Sequence, residues 1–376
     1  MEYAFIIWVA LTPFIMLYQT YEGPKVFWLW IGGFMLAASW IFRIIHGWTP
    51  KISQQNIWFA VWIAVLTIAS IFGIHPLDSV IGGSYRHQGV LFFITLLLIS
   101  ETIKNLSKKA SNILSLLIAV AVCLESIILL IQKINLWQRR PWGTIGEPNA
   151  AAGFLAIGLF WIASMNISKW VRLLLSIGVL LAISATGSRT GILASGVVSI
   201  GLMHRSVVPI FRKHTQFYFV LLTAVMVIGG LFFYRYTLNV GRLSSPYEDR
   251  ILFWKLGFDA FLMRPLLGYG AESEEHIYNK MFRSVNVRLI DFMVDRSHNI
   301  LLDVALWSGI IGLTVFTGWI VSIVILFIRN RDIPILFALA DWIGFASIQP
   351  VGVVQWVIIM ILISNLPHNG HRHRIA

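Results

Sequence analysis

Residues 295–328 read DRSHNILLDVALWSGIIGLTVFTGWIVSIVILFI, a polar run that turns directly into a long apolar one. The apolar run, at 299–328, is long enough to cross a bilayer as a helix. Similar runs recur along the whole chain, and no soluble domain separates them. The pattern predicts a helical membrane protein with many spans, because backbone polar groups inside lipid must be satisfied within the fold.

The composition supports this class of protein. Hydrophobic residues make up 57% and charged residues 12% of the chain, and the mean hydropathy is +0.77, outside the range of soluble domains. The first apolar run lacks a basic start and is interrupted by Pro13, so we expect a retained helix rather than a leader. We predict one all-α membrane domain over residues 1–376 with about twelve spans, at roughly 3–20, 26–45, 56–74, 88–103, 111–133, 150–167, 169–186, 190–204, 215–236, 299–328, 333–346 and 350–366.

The basic residues of the short loops predict the orientation, because such residues favour the cytoplasmic side. With the N-terminus inside, the cytoplasmic segments hold fourteen Lys and Arg, and the short outer loops hold six. The remaining nine lie in or beside the loop at about 237–298, between the ninth and tenth spans, which this orientation places outside. Both termini are therefore expected to be cytoplasmic.

The net charge of +12 is divided between the two faces of the membrane. No basic domain forms, so we predict that the protein does not bind nucleic acid. The single cysteine, Cys123, falls within the fifth predicted span. Neither a disulfide nor a redox motif is expected.

The outer loop at 237–298 is predicted to be a structured lid. The sequence at 245–248, Ser-Pro-Tyr-Glu, has the form of a capping box with proline at the first helical position. From Ile251 onward apolar residues repeat at helical spacing, and Arg264-Pro265 ends the run. This amphipathic helix is expected to lie on the membrane surface or across other spans.

A turn and a second helix are predicted in the remainder of the lid. Gly268-Tyr269-Gly270 favours the turn, and the helix is expected to continue through Ile277 and Met281. Three acidic residues lie between them, Glu272, Glu274 and Glu275. Their spacing is typical of a solvated helix face, and we assign no metal ligands to them.

Topology places three arginines and one histidine on the outer face, namely Arg86, Arg189, Arg250 and His298. Arginine beside hydrocarbon is costly unless paired, and its planar fork matches phosphate oxygens. Imidazole is suited to accepting a proton near neutral pH. These residue types on one face are the groups that a phosphate-binding transfer site needs.

Structural roles for the same residues remain open. Each arginine is also compatible with an interfacial anchor, or with a salt bridge to Asp78, Glu147 or Asp249. His298 is compatible with a loop residue that only bonds backbone, next to Asn299 as an ordinary helix cap. The histidines at 368, 371 and 373 resemble a metal-binding tract, but neighbouring arginines on the cytoplasmic tail favour membrane anchoring.

Five short motifs occur in a fixed order along nearly the whole chain. They are Gly83 to Gly89 with Arg86, Gly143-Thr-Ile-Gly-Glu-Pro-Asn149, Ser188-Arg189-Thr-Gly191, Arg250 followed by Trp254 and Gly268-Tyr-Gly270, and His298-Asn299 followed by Gly309 and Gly312. The set resembles the O-antigen ligase and O-antigen polymerase superfamily of bacterial membrane glycosyltransferases.

The resemblance implies a GT-C-like membrane fold and transfer of a glycan from undecaprenyl diphosphate without a metal or other cofactor. By the same resemblance, Arg189 and Arg250 match diphosphate-binding arginines, and His298 matches the catalytic base. Arg86, on the same face, is predicted to join the two arginines. The resemblance places the site at the outer face of a bacterial inner membrane and the activity in cell-envelope synthesis, such as that of lipopolysaccharide.

Transfer from a lipid diphosphate to a lipid-linked acceptor is therefore the predicted activity, as in an O-antigen ligase. Polymerase activity on a growing glycan and O-glycosylation of a protein remain open, because the motifs are shared. A transporter or lipid flippase is the alternative from another class. It should carry ionisable residues in its spans, and this chain has few, namely Glu125, Asp303 and Asp341.

Overall fold

The computed structural model describes residues 2–17, 21–47, 49, 52–135, 140–211, 246–284, 294–330 and 332–364. Throughout these residues the regular structure is helical, and they contain no β-strand. The helices are α1 (Glu2–Leu11), α2 (Glu22–Ile45), α3 (Gln54–Ile71), α4 (Pro76–Ile81), α5 (Val90–Lys104), α6 (Lys108–Asn135), α7 (Pro148–Ser164), α8 (Lys169–Ala185), α9 (Arg189–Phe211), α10 (Pro246–Met263), α11 (Glu274–Ser284), α12 (Ile300–Asn330), α13 (Ile333–Ala346) and α14 (Val353–Ser364).

Four of these helices, α2, α3, α6 and α12, are long and apolar enough to cross a membrane. Several shorter apolar helices accompany them, including α7, α13 and α14. The prediction of a helical membrane protein is therefore confirmed at this level. The predicted ninth span, at 215–236, lies outside the described residues.

The first predicted span departs from a single helix. Its α-helical part ends at Leu11, and a 3-10 turn follows over Thr12–Phe14. Pro13 is the physical reason, since proline cannot donate a backbone hydrogen bond and its ring clashes with the preceding turn of an α-helix.

The core of the bundle lies around α7 and α14. All twelve residues of α14 are buried, so this helix is enclosed by its neighbours. At about 1.5 Å per residue it is roughly 18 Å long, shorter than the hydrocarbon layer. Small residues allow the close approach of α7: a side chain at Gly153 would meet Gln355, and one at Gly158 would meet Val122.

A break in α12 joins the segment that holds α10 and α11 to the bundle. Gly309 adopts a φ of 62°, which interrupts the helix. The carbonyl of Leu306 accepts from the Tyr269 N–H at 2.7 Å, and the Ile310 N–H donates to the Pro265 carbonyl at 2.7 Å. The turn falls at 265–267, directly before the predicted Gly268–Gly270, where both glycines have positive φ. It is fixed because the backbone of this stretch satisfies groups that the broken helix leaves open.

Both helices predicted between the ninth and tenth spans are present. The first begins at Pro246 and ends at Met263, directly before Arg264-Pro265, and the second is α11. The side of α10 that packs into the fold holds Phe253, Leu256 and Ala260. A second apolar row on α10 is exposed, at Ile251, Phe258 and Leu262.

Candidate active site

His298 lies two residues before α12 begins at Ile300. Asn299 is the helix cap, because its Oδ1 accepts from the N–H groups of Leu301 and Leu302 at 3.1 and 3.2 Å. His298 itself has a φ of 56°, in the left-handed region. That conformation costs an L-residue with a Cβ about 1–2 kcal/mol, so it needs support from its surroundings.

Ser297, the preceding residue, supplies much of that support. Its N–H donates to the Asp303 carboxylate at 2.8 Å, and its carbonyl accepts from the Trp254 indole at 3.0 Å. Its hydroxyl bonds the Tyr278 hydroxyl at 2.9 Å. Ser297 is fully buried. The position and backbone angle of His298 are therefore set by rigid neighbours on α10, α11 and α12.

The imidazole of His298 is uncharged at neutral pH. Burial lowers its pKa to about 4, with further lowering by Arg250 and Arg86 and an opposing effect of Asp295. The ring stacks against Phe253, with centroids 6.2 Å apart. Its Nδ1 atom is buried and has no hydrogen-bond partner among the described residues. The side chain is thus held in the form that accepts a proton.

Arg86 is joined to the same segment through Asp295. The Arg86 Nε and the Asp295 Oδ2 are 2.5 Å apart, and Arg86 is 9% exposed. Burial alone would raise the pKa of Asp295, but the Arg86 guanidinium holds it below its usual value. The salt-bridge partners considered from the sequence were therefore wrong for Arg86. Its partner is 209 positions away along the chain.

A buried ionic network around Arg296 fixes the rest of the segment. Arg296 pairs with Glu272, lies 3.4 Å from the Glu274 carboxylate, and its guanidinium stacks on Trp307 at 4.3 Å. Glu274 also accepts from the Trp307 indole at 2.6 Å. Glu272 accepts from the Gly83 N–H at 2.5 Å. This network connects the 272–274 and 294–298 segments to the loop that carries Arg86.

The prediction that Glu272, Glu274 and Glu275 form a solvated helix face is therefore wrong for Glu272 and Glu274. Glu272 is 8% exposed and Glu274 is fully buried. Burial raises the pKa of both carboxyls, and Arg296 opposes the rise. The sequence did not reveal that Arg296 holds this network together. Its partners Glu274 and Glu272 lie 22 and 24 positions earlier, too far along the chain for a helical or turn pattern to indicate the pairing.

A polar cavity of about 140 Å³ opens beside Arg86. Two carboxylates, a guanidinium, an imidazole and two phenols contribute to its wall. The lining residues are Tyr21, Glu22, Gly23, Ser84, Tyr85, Arg86, His87, Ile145, Gly146, Glu147 and Ala150.

The two carboxylates of the cavity are held by backbone donors. Glu147 caps α7 by accepting from the N–H groups of Asn149 and Ala150 at 3.1 and 2.7 Å. Glu22 accepts from the Val353 N–H at 2.8 Å. Both acids are thereby fixed at the starts of helices, which holds two sides of the cavity in place.

Buried polar contacts anchor the loop before α7. Thr144 bonds the Glu125 carboxylate through its N–H at 2.8 Å and its hydroxyl at 2.6 Å, and its carbonyl accepts from Lys25 at 2.9 Å. Glu125, which the sequence analysis treated only as an ionisable residue within a span, thus positions one wall of the cavity.

Arg189 lies at the first position of α9 and is exposed. Three residues earlier, the Thr186 carbonyl accepts from Arg140 at 3.1 Å, and Arg140 also donates to Asn149 at 2.8 Å. Arg140 thus connects the backbone just before Arg189 to the start of α7, and Arg189 is not among the residues that line the cavity. The structure places Arg86 and Arg250 close enough to His298 to lower the pKa of its imidazole. Arg140 is a further cation beside these loops that the sequence did not single out.

Fold and site together define a helical membrane protein in which a neutral histidine, two nearby arginines and a cavity lined by charged side chains lie at the ends of the helices. Residues 174–317, which include Arg189, Arg250 and His298, match the family model described as O-antigen ligase. The chain is also 26% identical over 195 residues to a general O-oligosaccharyltransferase of Acinetobacter baylyi. That alignment covers 47% of this chain and 34% of the relative, so the chain spans about a third of that protein's length.

These findings confirm the resemblance to the O-antigen ligase superfamily. Both matches point to proteins named for glycan ligation or oligosaccharide transfer.

Proposed function

We propose that this protein transfers a glycan, with inversion and without a metal, from an undecaprenyl-diphosphate donor to a lipid-linked acceptor. The transfer takes place at the outer face of a bacterial inner membrane. The observation that carries the proposal is His298: a neutral, buried imidazole in a supported left-handed conformation, with Arg250 and Arg86 in its electrostatic surroundings.

The chemistry needs a base on one side of the sugar and a cationic site on the other. As the acceptor hydroxyl attacks the anomeric carbon, its proton passes to the neutral imidazole. The bond from that carbon to the diphosphate oxygen breaks, and its electron pair leaves with the diphosphate. Attack opposite the leaving group inverts the anomeric centre.

Arginines take the part that a divalent cation takes in other diphosphate chemistry. Arg189 and Arg250 bind the diphosphate and stabilise the charge that develops on it. Arg86 is already paired with Asp295 through its Nε, so its main effect is on the position and charge of the His298 segment. A site closed by the outer segment also keeps water from hydrolysing the donor.

The cavity beside Arg86 suits a sugar. Carboxylates such as Glu22 and Glu147 accept hydrogen bonds from hydroxyls, and the rings of Tyr21 and Tyr85 offer apolar faces for a pyranose. We assign this cavity to a sugar of the donor or the acceptor, adjacent to the reacting bond.

A second acceptor class is supported by the similarity to a general O-oligosaccharyltransferase. Oligosaccharide transfer to a hydroxyl of a protein, or of a growing glycan as in a polymerase, uses the same base and the same arginines. Deletion of the gene distinguishes these activities by which surface glycan or glycoprotein disappears while the lipid-linked glycan accumulates.

The proposed topology has about twelve spans, cytoplasmic termini and an outer segment that includes α10 and α11. In a Cys123→Ser background, cysteines at Ser84, Lys255 and Lys280 should react with a membrane-impermeant thiol reagent in intact spheroplasts. Cysteines at Lys109 and Lys169 should react only after permeabilisation. All five positions are exposed. The reverse pattern would place the arginines and His298 on the cytoplasmic side and contradict the proposal.

Purified full-length protein should transfer glycan from a lipid-diphosphate donor in the presence of EDTA. The reason is that guanidinium groups, rather than a bound cation, stabilise the leaving diphosphate. Transfer is measured as acceptor glycosylation and loss of lipid-linked glycan. Activity that disappears in EDTA and returns with Mg²⁺ or Mn²⁺ would contradict the metal-independent mechanism.

A further inference from the structure

A cluster of histidine and aspartate side chains lies outside the proposed transfer site. His75 directly precedes α4, Asp78 lies in the first turn of that helix, and His276 lies on α11. The rings of His75 and His276 are stacked with centroids 3.7 Å apart and planes at 23°. The His276 Nε2 is 3.7 Å from the Asp78 Oδ2. One donor atom from each of the three residues falls within 4.8 Å of the others.

These side chains converge without hydrogen-bonding one another. A separation of 3.7 Å is longer than a hydrogen bond. Within the part of the chain that the structure describes, none of the three side chains has a hydrogen-bond partner elsewhere. His276 and Asp78 are also accessible, with side chains 38% and 51% exposed. Polar atoms are thus brought together at a position that a solvated ion can reach.

We propose that His75, Asp78 and His276 form a binding site for a divalent transition-metal ion of the zinc class. Two imidazoles and one carboxylate are a ligand set typical of such ions, with water completing the coordination. Metal–ligand distances near 2.0–2.1 Å require donor atoms about 3.3 Å apart in a tetrahedral site. Movements of about 1 Å by these side chains, together with rotation of the two rings out of their stacked arrangement, bring the donors to that separation and direct both imidazole lone pairs at one ion.

The ion would connect two segments that are distant in sequence. His75 belongs to the turn between α3 and α4 and Asp78 to the first turn of α4. In the turn before α4 the Ile74 N–H already donates to the Tyr269 carbonyl at 3.0 Å. His276 is two residues after Glu274, a member of the buried Arg296 network. Binding would therefore fasten α11 to the bundle and stabilise the segment that positions His298. The site is structural, and it does not depend on the proposed transfer reaction.

Metal binding by the full-length protein in detergent tests this site. The background carries Ala at His368, His371 and His373, because a histidine-rich tail binds the same ions. Stripped protein is titrated with Zn²⁺ by calorimetry and with Co²⁺ by its visible absorption. We expect one ion per chain and a higher melting temperature with Zn²⁺. His276→Gln and Asp78→Asn should each weaken binding at least about tenfold, and His46→Ala, an exposed histidine elsewhere, should leave it unchanged.

Two results would overturn the site. One is the absence of stoichiometric binding in the background protein. The other is that the background protein, His75→Gln and His276→Gln all bind Zn²⁺ with equal affinity, while their melting temperatures in metal-free buffer are the same. Because the readouts are ion binding and melting, they separate this inference from the transfer reaction, whose failure is seen only in glycan transfer.

Discussion

His298→Ala should abolish glycan transfer while donor binding and thermal stability stay near those of the wild type. A positioned base contributes about 10²–10⁴-fold to the rate of a proton transfer. The base meets the acceptor hydroxyl and not the diphosphate, so donor affinity should not depend on it. Turnover and donor binding are measured separately, with melting temperature as the check on folding.

His298→Asn is the matched control for the backbone. Asparagine adopts the left-handed conformation more readily than alanine does, so this variant preserves the 56° φ of the site while removing the base. It should be as inactive as His298→Ala. A stable His298→Asn or His298→Gln enzyme with nearly normal turnover would end the general-base assignment.

The pH profile gives a second readout for the same residue. The sequence alone favours an acid limb near the ordinary histidine pKa of about 6.5, displaced downward by neighbouring arginines. In the structure burial is the first cause, and the pKa is lowered to about 4. Only the neutral imidazole accepts a proton, so activity should be flat at neutral pH and fall as the pH drops toward 4. If activity instead falls at pH 6.5 or above, and the protein recovers full activity on return to neutral pH, the base is a group other than His298.

Arg189→Ala and Arg250→Ala should each reduce turnover by about 10²–10³-fold, corresponding to the 3–4 kcal/mol lost with one donor to a developing anion. Lysine at either position should restore part of the rate, because it supplies charge without the bidentate fork. Turnover is measured at saturating donor.

Arg264→Ala is the matched control for the arginine variants. Arg264 lies on the same outer segment and directly follows α10, and its guanidinium contacts the Tyr269 ring at 5.3 Å. Its loss should leave turnover close to that of the wild type. Arg86→Ala should reduce turnover less than loss of Arg189 or Arg250. Its effect should arise because Asp295 loses its partner next to His298. Near-normal rates in both Arg189→Ala and Arg250→Ala would leave the diphosphate without a binding site.

Much of the local structure was predictable from the sequence. The helix beginning at Pro246, its end before Arg264-Pro265 and the cap at Asn299 depend on contacts within a few residues. Such signals act through proline geometry and side-chain bonds to nearby backbone, which do not change with tertiary context. The membrane class followed from composition, and the resemblance to the O-antigen ligase superfamily followed from short motifs in a fixed order.

The sequence by itself therefore determined a helical membrane protein and placed His298 and three arginines on one proposed face. Only the tertiary structure decided how these residues are held. Arg86 pairs with Asp295, Arg296 is enclosed by Glu272 and Glu274, and the His298 imidazole is buried. The physical reason is that periodicity and capping act over about one helical turn, whereas burial and charge pairing between distant segments are decided when the helices pack.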